Sequence, residues 1–75
     1  MVGKTLNEAP VGRWLRIAVD GTRNIRLLEL GFLPLERVQV LRRSWFRSGA
    51  LVVQVGDAVF GLRPAEASQV LLEPA

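Results

Sequence analysis

Arg26-Leu-Leu-Glu-Leu-Gly-Phe-Leu-Pro34, followed by Val38-Gln-Val40, is the stretch that decides the fold. An apolar-faced helix runs into Gly31, whose left-handed backbone ends a helix cheaply. Pro34 then bars its continuation. Beyond it the apolar period changes from helical to two, which marks a strand. One segment thus predicts a helix, its stop, a turn and a strand entry.

Upstream, Thr22 offers a cap for a helix running from Arg23 to Leu30. Ile25, Leu28 and, more loosely, Leu27 form its apolar stripe. Phe32 and Leu33 are expected to tuck into the core. Asp20-Gly21 reads as a turn. Trp14 to Val19 alternates, with Leu15, Ile17 and Val19 on one face and Trp14, Arg16 and Ala18 on the other, as in a half-buried strand. Thr5-Leu-Asn-Glu8 has the spacing of a capping box, and Pro10 and Gly12 limit it to a single helical turn.

Downstream, Leu51, Val53 and Val55 alternate, Gly56-Asp57 suits a hairpin turn, and Ala58, Phe60 and Leu62 alternate again. Pro64 suits the first turn of a short helix, and Val70-Leu-Leu72 reads as a closing strand. The expected architecture is mainly β: about five short strands in a small closed or nearly closed barrel, with one short α-helix and one or two helical turns. Closure removes the exposed edges that invite aggregation. Residues 1–75 are expected to form one domain with a thin core, since a chain this short buries only about 60% of its unfolded surface.

Composition narrows the chemistry. There is no cysteine to form a disulfide or thiolate site, and no histidine to serve as general base or metal ligand. The net charge is +3, and nine of the ten basic residues are arginines. Arginine makes forked contacts with carboxylates and phosphates and stacks on aromatic rings. A basic balance admits nucleic acid, an acidic protein face or anionic lipid as partner, although no block of five or six like charges appears. Met1-Val-Gly-Lys4 does not lead into a signal-peptide core, and no apolar run approaches the roughly 20 residues of a membrane helix, so a soluble cytoplasmic protein is expected.

Asp20, Glu29, Glu36, Asp57, Glu66 and Glu73 are scattered, without calcium-loop or paired-carboxylate spacing. There is no glycine-rich phosphate loop, although Asp20-Gly-Thr22 at a helix start can hold an anion weakly. The hydroxyls lack a histidine base. No enzyme, cofactor or resident metal is expected.

The candidates for binding are different. Trp45 and Phe46 lie between Arg42-Arg43 and Arg47, and aromatics interleaved with arginine stack on bases, grip lipid headgroups or anchor protein interfaces. The alternative is that these rings cap the thin core. Trp14 either forms a second exposed patch with Arg16 or packs under the first helical turn. Arg26 either caps carbonyls, pairs with Glu29 or Glu66, or meets a partner, and a structural role comes first.

The chain resembles the FeoA family, the small ferrous iron transport protein A found beside the transporter FeoB. The resemblance is carried by Leu6-Asn-Glu-Ala-Pro10 with Gly12, by Arg26 to Pro34 with Val38-Gln-Val40, by the hairpin Leu51-Val-Val-Gln-Val55 to Phe60-Gly-Leu62, and by Leu62-Arg-Pro-Ala-Glu-Ala67 with Val70. It implies an SH3-like barrel. It also implies a non-enzymatic interaction module that supports or regulates FeoB through its cytosolic part, which holds a GTP-binding domain, and so a peripheral place at the inner membrane. On this reading Arg26, Arg42, Arg43, Trp45, Phe46 and Arg47 are the candidate partner contacts.

Two positions depart from the family. Members usually carry glycine where this chain has Leu35, so a positive φ there would strain the leucine. The loop Trp45-Phe-Arg-Ser-Gly49 is bulkier and more basic than the family's. Two other functions stay open. One is a nucleic-acid-binding small barrel using Arg42, Arg43, Trp45, Phe46 and Arg47, although the sequence does not otherwise gather basic residues on one strand face. The other is a GTPase activator with Arg47 as arginine finger, an analogy at the level of the fold.

Overall fold

The computed structural model describes residues 4–44 and 49–73. A 3-10 turn, Leu6–Glu8, comes first. Strand β1 (Leu15–Arg16), helix α1 (Ile25–Leu30), strands β2 (Arg37–Arg43), β3 (Leu51–Val55) and β4 (Ala58–Leu62), and helix α2 (Pro64–Ala67) follow in order. The strands form one antiparallel sheet in the order β1-β2-β3-β4.

The 3-10 turn is fixed by Glu8, whose carboxylate accepts hydrogen bonds from Thr5 N and Thr5 Oγ1, both at 3.1 Å. The backbone bond first, and the hydroxyl second, hold the Glu8 carboxyl below its ordinary range. Whatever stability this lends is complete at neutral pH and is lost as pH falls through the lowered value.

Helix α1 starts later than Thr22 suggests. Thr22 Oγ1 accepts from Asn24 N at 3.1 Å, and Asn24 Oδ1 accepts from Arg26 N at 3.0 Å, so Asn24 is the cap and Thr22 shapes the approach. The inward residue is Leu27, fully buried, while Ile25 is 72% exposed. The shorter helix has turned the expected stripe. Its stop is as expected: Gly31 has φ 111°, and Phe32 N donates to Leu27 O while Gly31 N donates to Leu28 O, each at 3.1 Å. Phe32 is buried and stacks at a tilt on Phe60, with centroids 5.9 Å apart, while Leu33 stays exposed.

Leu33-Pro34-Leu35-Glu36 closes as a tight turn, with Glu36 N donating to Leu33 O at 3.2 Å. Leu35 has φ 66° and is the one non-glycine residue with positive φ among the described residues. Proline at the second position and a left-handed third position is the pattern of a type II turn, which favours glycine third.

Among the described residues the strands number four, not five. Val70-Leu-Leu72 makes only isolated bridges, Leu71 with Thr5 and Leu72 with Ile17. So short a segment serving two partners cannot build a ladder, yet it still closes the molecule. Ala18 N donates to Leu71 O at 3.0 Å, Leu71 N to Gly21 O at 2.6 Å, and Glu73 N to Arg16 O at 2.8 Å. β1 is also shorter than expected. The chain bends after Ile17, Gly21 N donates to Ala18 O at 2.9 Å, and Val19 is left exposed.

The core gathers Leu6, Ile17, Leu27, Phe32, Val38, Val40, Leu51, Val53, Val70 and Leu72, with no buried polar residue among those described. Ile17 is its crossing point. Its N–H donates to Glu36 O at 2.9 Å and its carbonyl accepts from Leu35 N at 2.8 Å.

Two substitutions test this frame. Leu35→Gly removes a left-handed leucine that costs about 1–2 kcal/mol, against about 0.5–1 kcal/mol of added chain entropy, and the side chain is 51% exposed. Stability in a denaturant titration is expected to stay level or to rise by up to about 1.5 kcal/mol; a clear fall would show that leucine packing governs the turn. Gly21→Ala is expected to do the opposite. A Cβ there would collide with Ile17 Cγ2 and lie 3.0 Å from Ala18 O. The same titration should show a loss of about 1–3 kcal/mol, and an unchanged midpoint would contradict the closure described.

Candidate interaction surface

The two arginines at the end of β2 have opposite fates. The ladder pairs Val40 with Val53 and then Arg42 with Val52, so Leu41 is an extra residue, a bulge in β2. Arg43 pairs with the buried Leu51 and therefore turns to the inner side, whereas Arg42 shares the outer side with Val52. The Arg43 guanidinium donates from Nη2 to Asn7 O at 2.6 Å and to Ala9 O at 2.7 Å. These charge-assisted bonds anchor the 3-10 turn and the residues after it across the end of the sheet. Val11 reinforces the seam through a parallel bridge to Val40. Of the adjacent arginines expected to meet a partner, Arg43 is an internal brace and Arg42 is exposed.

The outer face of the sheet is more basic than the sequence suggests. Arg16 and Arg37 are direct cross-strand partners. Like charges so placed repel. Two contacts relieve them. Arg16 Nε lies 4.0 Å from Glu73 Oε1, the one ion pair among the described residues, and the Arg37 guanidinium sits over the Trp14 ring, 4.8 Å from its centroid. Trp14 therefore belongs to an exposed patch, with Arg37 as its cover. Arg42 extends the same face, beyond a central row in which Gln39 Nε2 donates to Gln54 Oε1 at 3.2 Å. The expectation that no strand face gathers basic residues is thus corrected: Arg16, Arg37 and Arg42 share one. Arg16 and Arg37 were missed as a pair because register is a long-range property that alternation within each strand does not supply.

Arg26 is exposed and makes no ion pair with Glu29 or Glu66 among the described residues. It lines an open cleft of about 520 Å³ with Gly61, Arg63 and Glu66, and the Glu66 carboxylate accepts from Arg63 N at 2.9 Å. Gly61 also ends the cross-strand row Arg42–Val52–Gly61, so the cleft adjoins the basic face. A second, more open hollow at the Asp20–Asn24 segment is bridged by Asn24 Nδ2 donating to Gln69 Oε1 at 2.8 Å. The remaining candidates, Trp45, Phe46 and Arg47, lie outside the described residues. Among the described residues no three carboxylates come together as a metal site, and no helix is long and apolar enough to cross a membrane.

A small antiparallel sheet, closed by short bridges and accompanied by a 3-10 turn and two short helices, forms an SH3-like domain. The chain belongs to the FeoA domain family, whose model matches residues 4–74. FeoA of Stenotrophomonas maltophilia, a zinc-complexed prokaryotic SH3 domain protein and candidate ferrous iron transport activating factor, is 32% identical, with 92% of this chain and 88% of that one covered and a TM-score of 0.74. The fold is shared with a FeoA-like protein from Clostridium acetobutylicum, at 15% identity, coverage of 99% and 88%, and TM-score 0.80. It is shared also with iron(II) transport protein A of Clostridium thermocellum, at 23% identity, coverage of 93% and 44%, and TM-score 0.75. No curated protein sequence matches the chain significantly. The protein is thus a small SH3-like member of a family associated with ferrous iron transport.

The contrast between neighbouring arginines is directly testable. Arg43→Ala leaves the Asn7 and Ala9 carbonyls without their charged donor and is expected to destabilise by about 2 kcal/mol. Arg42→Ala should change stability by less than about 0.5 kcal/mol. Thermal or urea melts of the two variants decide it, and equal effects would refute the inward–outward assignment.

Proposed function

We propose that this protein is an interaction module that docks on the cytosolic part of a FeoB-type ferrous iron transporter and adjusts its activity. Two things support the reading: membership of the FeoA family, and a partly exposed aromatic set among arginines on the outer sheet face. That face, with Trp14, Arg37 and Arg42, is the single observation that carries it. Tryptophan and arginine are the residue types that dominate binding energy at protein interfaces. A cytosolic GTP-binding domain with an acidic surface would complement the face in charge. Arg26 and the cleft beside Gly61 extend the proposed contact.

A second reading has a specific observation behind it. Three arginines and a tryptophan on one sheet face also suit a nucleic acid strand, with the ring stacking on a base. Against it, Glu73 partly neutralises Arg16, and the Arg37 guanidinium already lies on the Trp14 ring.

A salt series separates the two. Few arginines neutralise few phosphates, so nucleic-acid binding should fall steeply with salt, while a desolvated protein contact persists. Binding of the FeoB cytosolic domain, of RNA and of DNA is measured with the wild type and with a Trp14→Ala, Arg42→Ala double variant. The expected result is FeoB binding that survives about 0.15 M salt and weakens at least about tenfold in the variant, whose fold is retained. Salt-resistant nucleic-acid binding with no FeoB contact would overturn the proposal. GTP hydrolysis followed in the same mixtures shows whether docking activates or restrains the transporter, and an acceleration lost in Arg47→Ala alone would establish an arginine finger.

A further inference from the structure

The outer edge of β4 is unprotected. Asp57-Ala-Val-Phe-Gly-Leu-Arg63 carries no proline or charge between its ends, although edge strands are ordinarily blunted by such residues. Val55 and Ala58 close the two-residue Gly56-Asp57 turn, and among the described residues β4 pairs with β3 alone. Hydrogen-bonded and non-bonded pairs alternate from such a turn, so the backbone groups of Val59 and Gly61 point away from β3. No backbone hydrogen bond reaches them among the described residues.

Gly61 has no conformational or packing reason among the described residues. Its φ is not positive, and a Cβ added there would meet no described atom within 4 Å. An interior strand glycine of this kind marks a place where something else approaches closely. Val59, two residues away on the same outer face, is 56% exposed.

We propose that β4 is a self-complementary edge through which two copies of this chain pair antiparallel about Phe60. With Phe60 opposite Phe60 of the second copy, Val59 lies opposite Gly61 of the second copy, and the reverse. Both are outward-pointing residues, so each such pair exchanges both of its backbone bonds. Each valine side chain covers the open space over the facing glycine. The half-buried Phe60 rings meet at the two-fold axis as a close, non-bonded pair. In the same register Asp57 of each copy stands opposite Arg63 of the other, and both side chains are exposed. The pattern reads small against large at the centre and acid against base at the rim, as an isologous contact requires. An edge of five residues buries less than the roughly 1,200–2,000 Å² of a standard interface, so the dimer should be weak, with Kd on the order of 100 µM.

This pairing does not rest on the FeoB reading, although Gly61 and Arg63 also line the cleft that extends the proposed FeoB contact, and it is tested without that partner. Amide exchange and chemical shifts are followed by NMR from micromolar to millimolar protein, with sedimentation on the same samples. Val59 and Gly61 amides are expected to gain protection with concentration as a dimer appears. Arg63→Asp and Asp57→Arg, each alone, place like charges opposite each other and should weaken self-association about tenfold. An equimolar mixture of the two restores opposite charges in the heterodimer and should recover wild-type affinity, a result that no folding defect can imitate. Gly61→Pro, which removes an outward N–H that the fold does not use, should abolish it. Concentration-independent amides in the wild type would overturn the proposal. So would a mixture that associates no better than its components, or protection of these amides only when the FeoB domain is added, which would assign the edge to a different chain.

Discussion

The guanidinium of Arg43, holding the carbonyl oxygens of Asn7 and Ala9, is the contact on which the rest of the arrangement depends. Leu6 and Ala9 belong to the core, yet they sit on a segment with only a single 3-10 turn of its own. Such a segment cannot hold itself in place by local hydrogen bonds. It is tied at one end by Leu6 N on Val70 O, at 2.8 Å, and at the other by Arg43 and the Val11–Val40 bridge. The bulge at Leu41 makes this possible. Strict alternation from Val38 and Val40 would have sent Arg42 inward and Arg43 out. One extra residue reverses them. The same local irregularity therefore completes the core and decides which arginine remains for a partner.

The outer sheet face follows a different logic. Arg16 opposite Arg37 is an arrangement that folding alone would avoid. It is tolerated because Glu73 and Trp14 each take one of the charges. Both contacts are on the surface and therefore weak, so the face keeps a positive potential and an aromatic ring at its border. That combination is costly to keep on stability grounds and useful for recognition, which is the physical basis for proposing this face as the contact surface.

Much of the fold was legible because its signals are local. Gly31 as a helix stop, the Gly56-Asp57 hairpin and the proline start of α2 each rest on residues a few positions apart. Leu35 was legible as a departure: a leucine where the turn favours glycine, now with φ 66°. What failed depended on distant partners. Thr22 and Asn24 are both capable caps, and a 3.1 Å bond from Asn24 N to Thr22 Oγ1 sets the order between them. The exposure of Val19 and Ile25 follows from where the chain bends, not from periodicity. The Arg16–Arg37 pair and the inward turn of Arg43 required strand register and a bulge, neither of which one sequence encodes visibly. Trp45, Phe46 and Arg47 lie outside the described residues.

The central claim is that one arginine of β2 is an internal brace while its neighbour is exposed. NMR of the guanidinium protons tests it without perturbing the chain. In the wild type at neutral pH and low temperature, Arg43 is expected to show resolved, slowly exchanging Nη–H resonances with restricted rotation about Cζ–Nε. Arg42 and Arg26 are expected to give averaged, rapidly exchanging signals. Averaged signals from Arg43, or slow exchange at Arg42 in its place, would contradict the account.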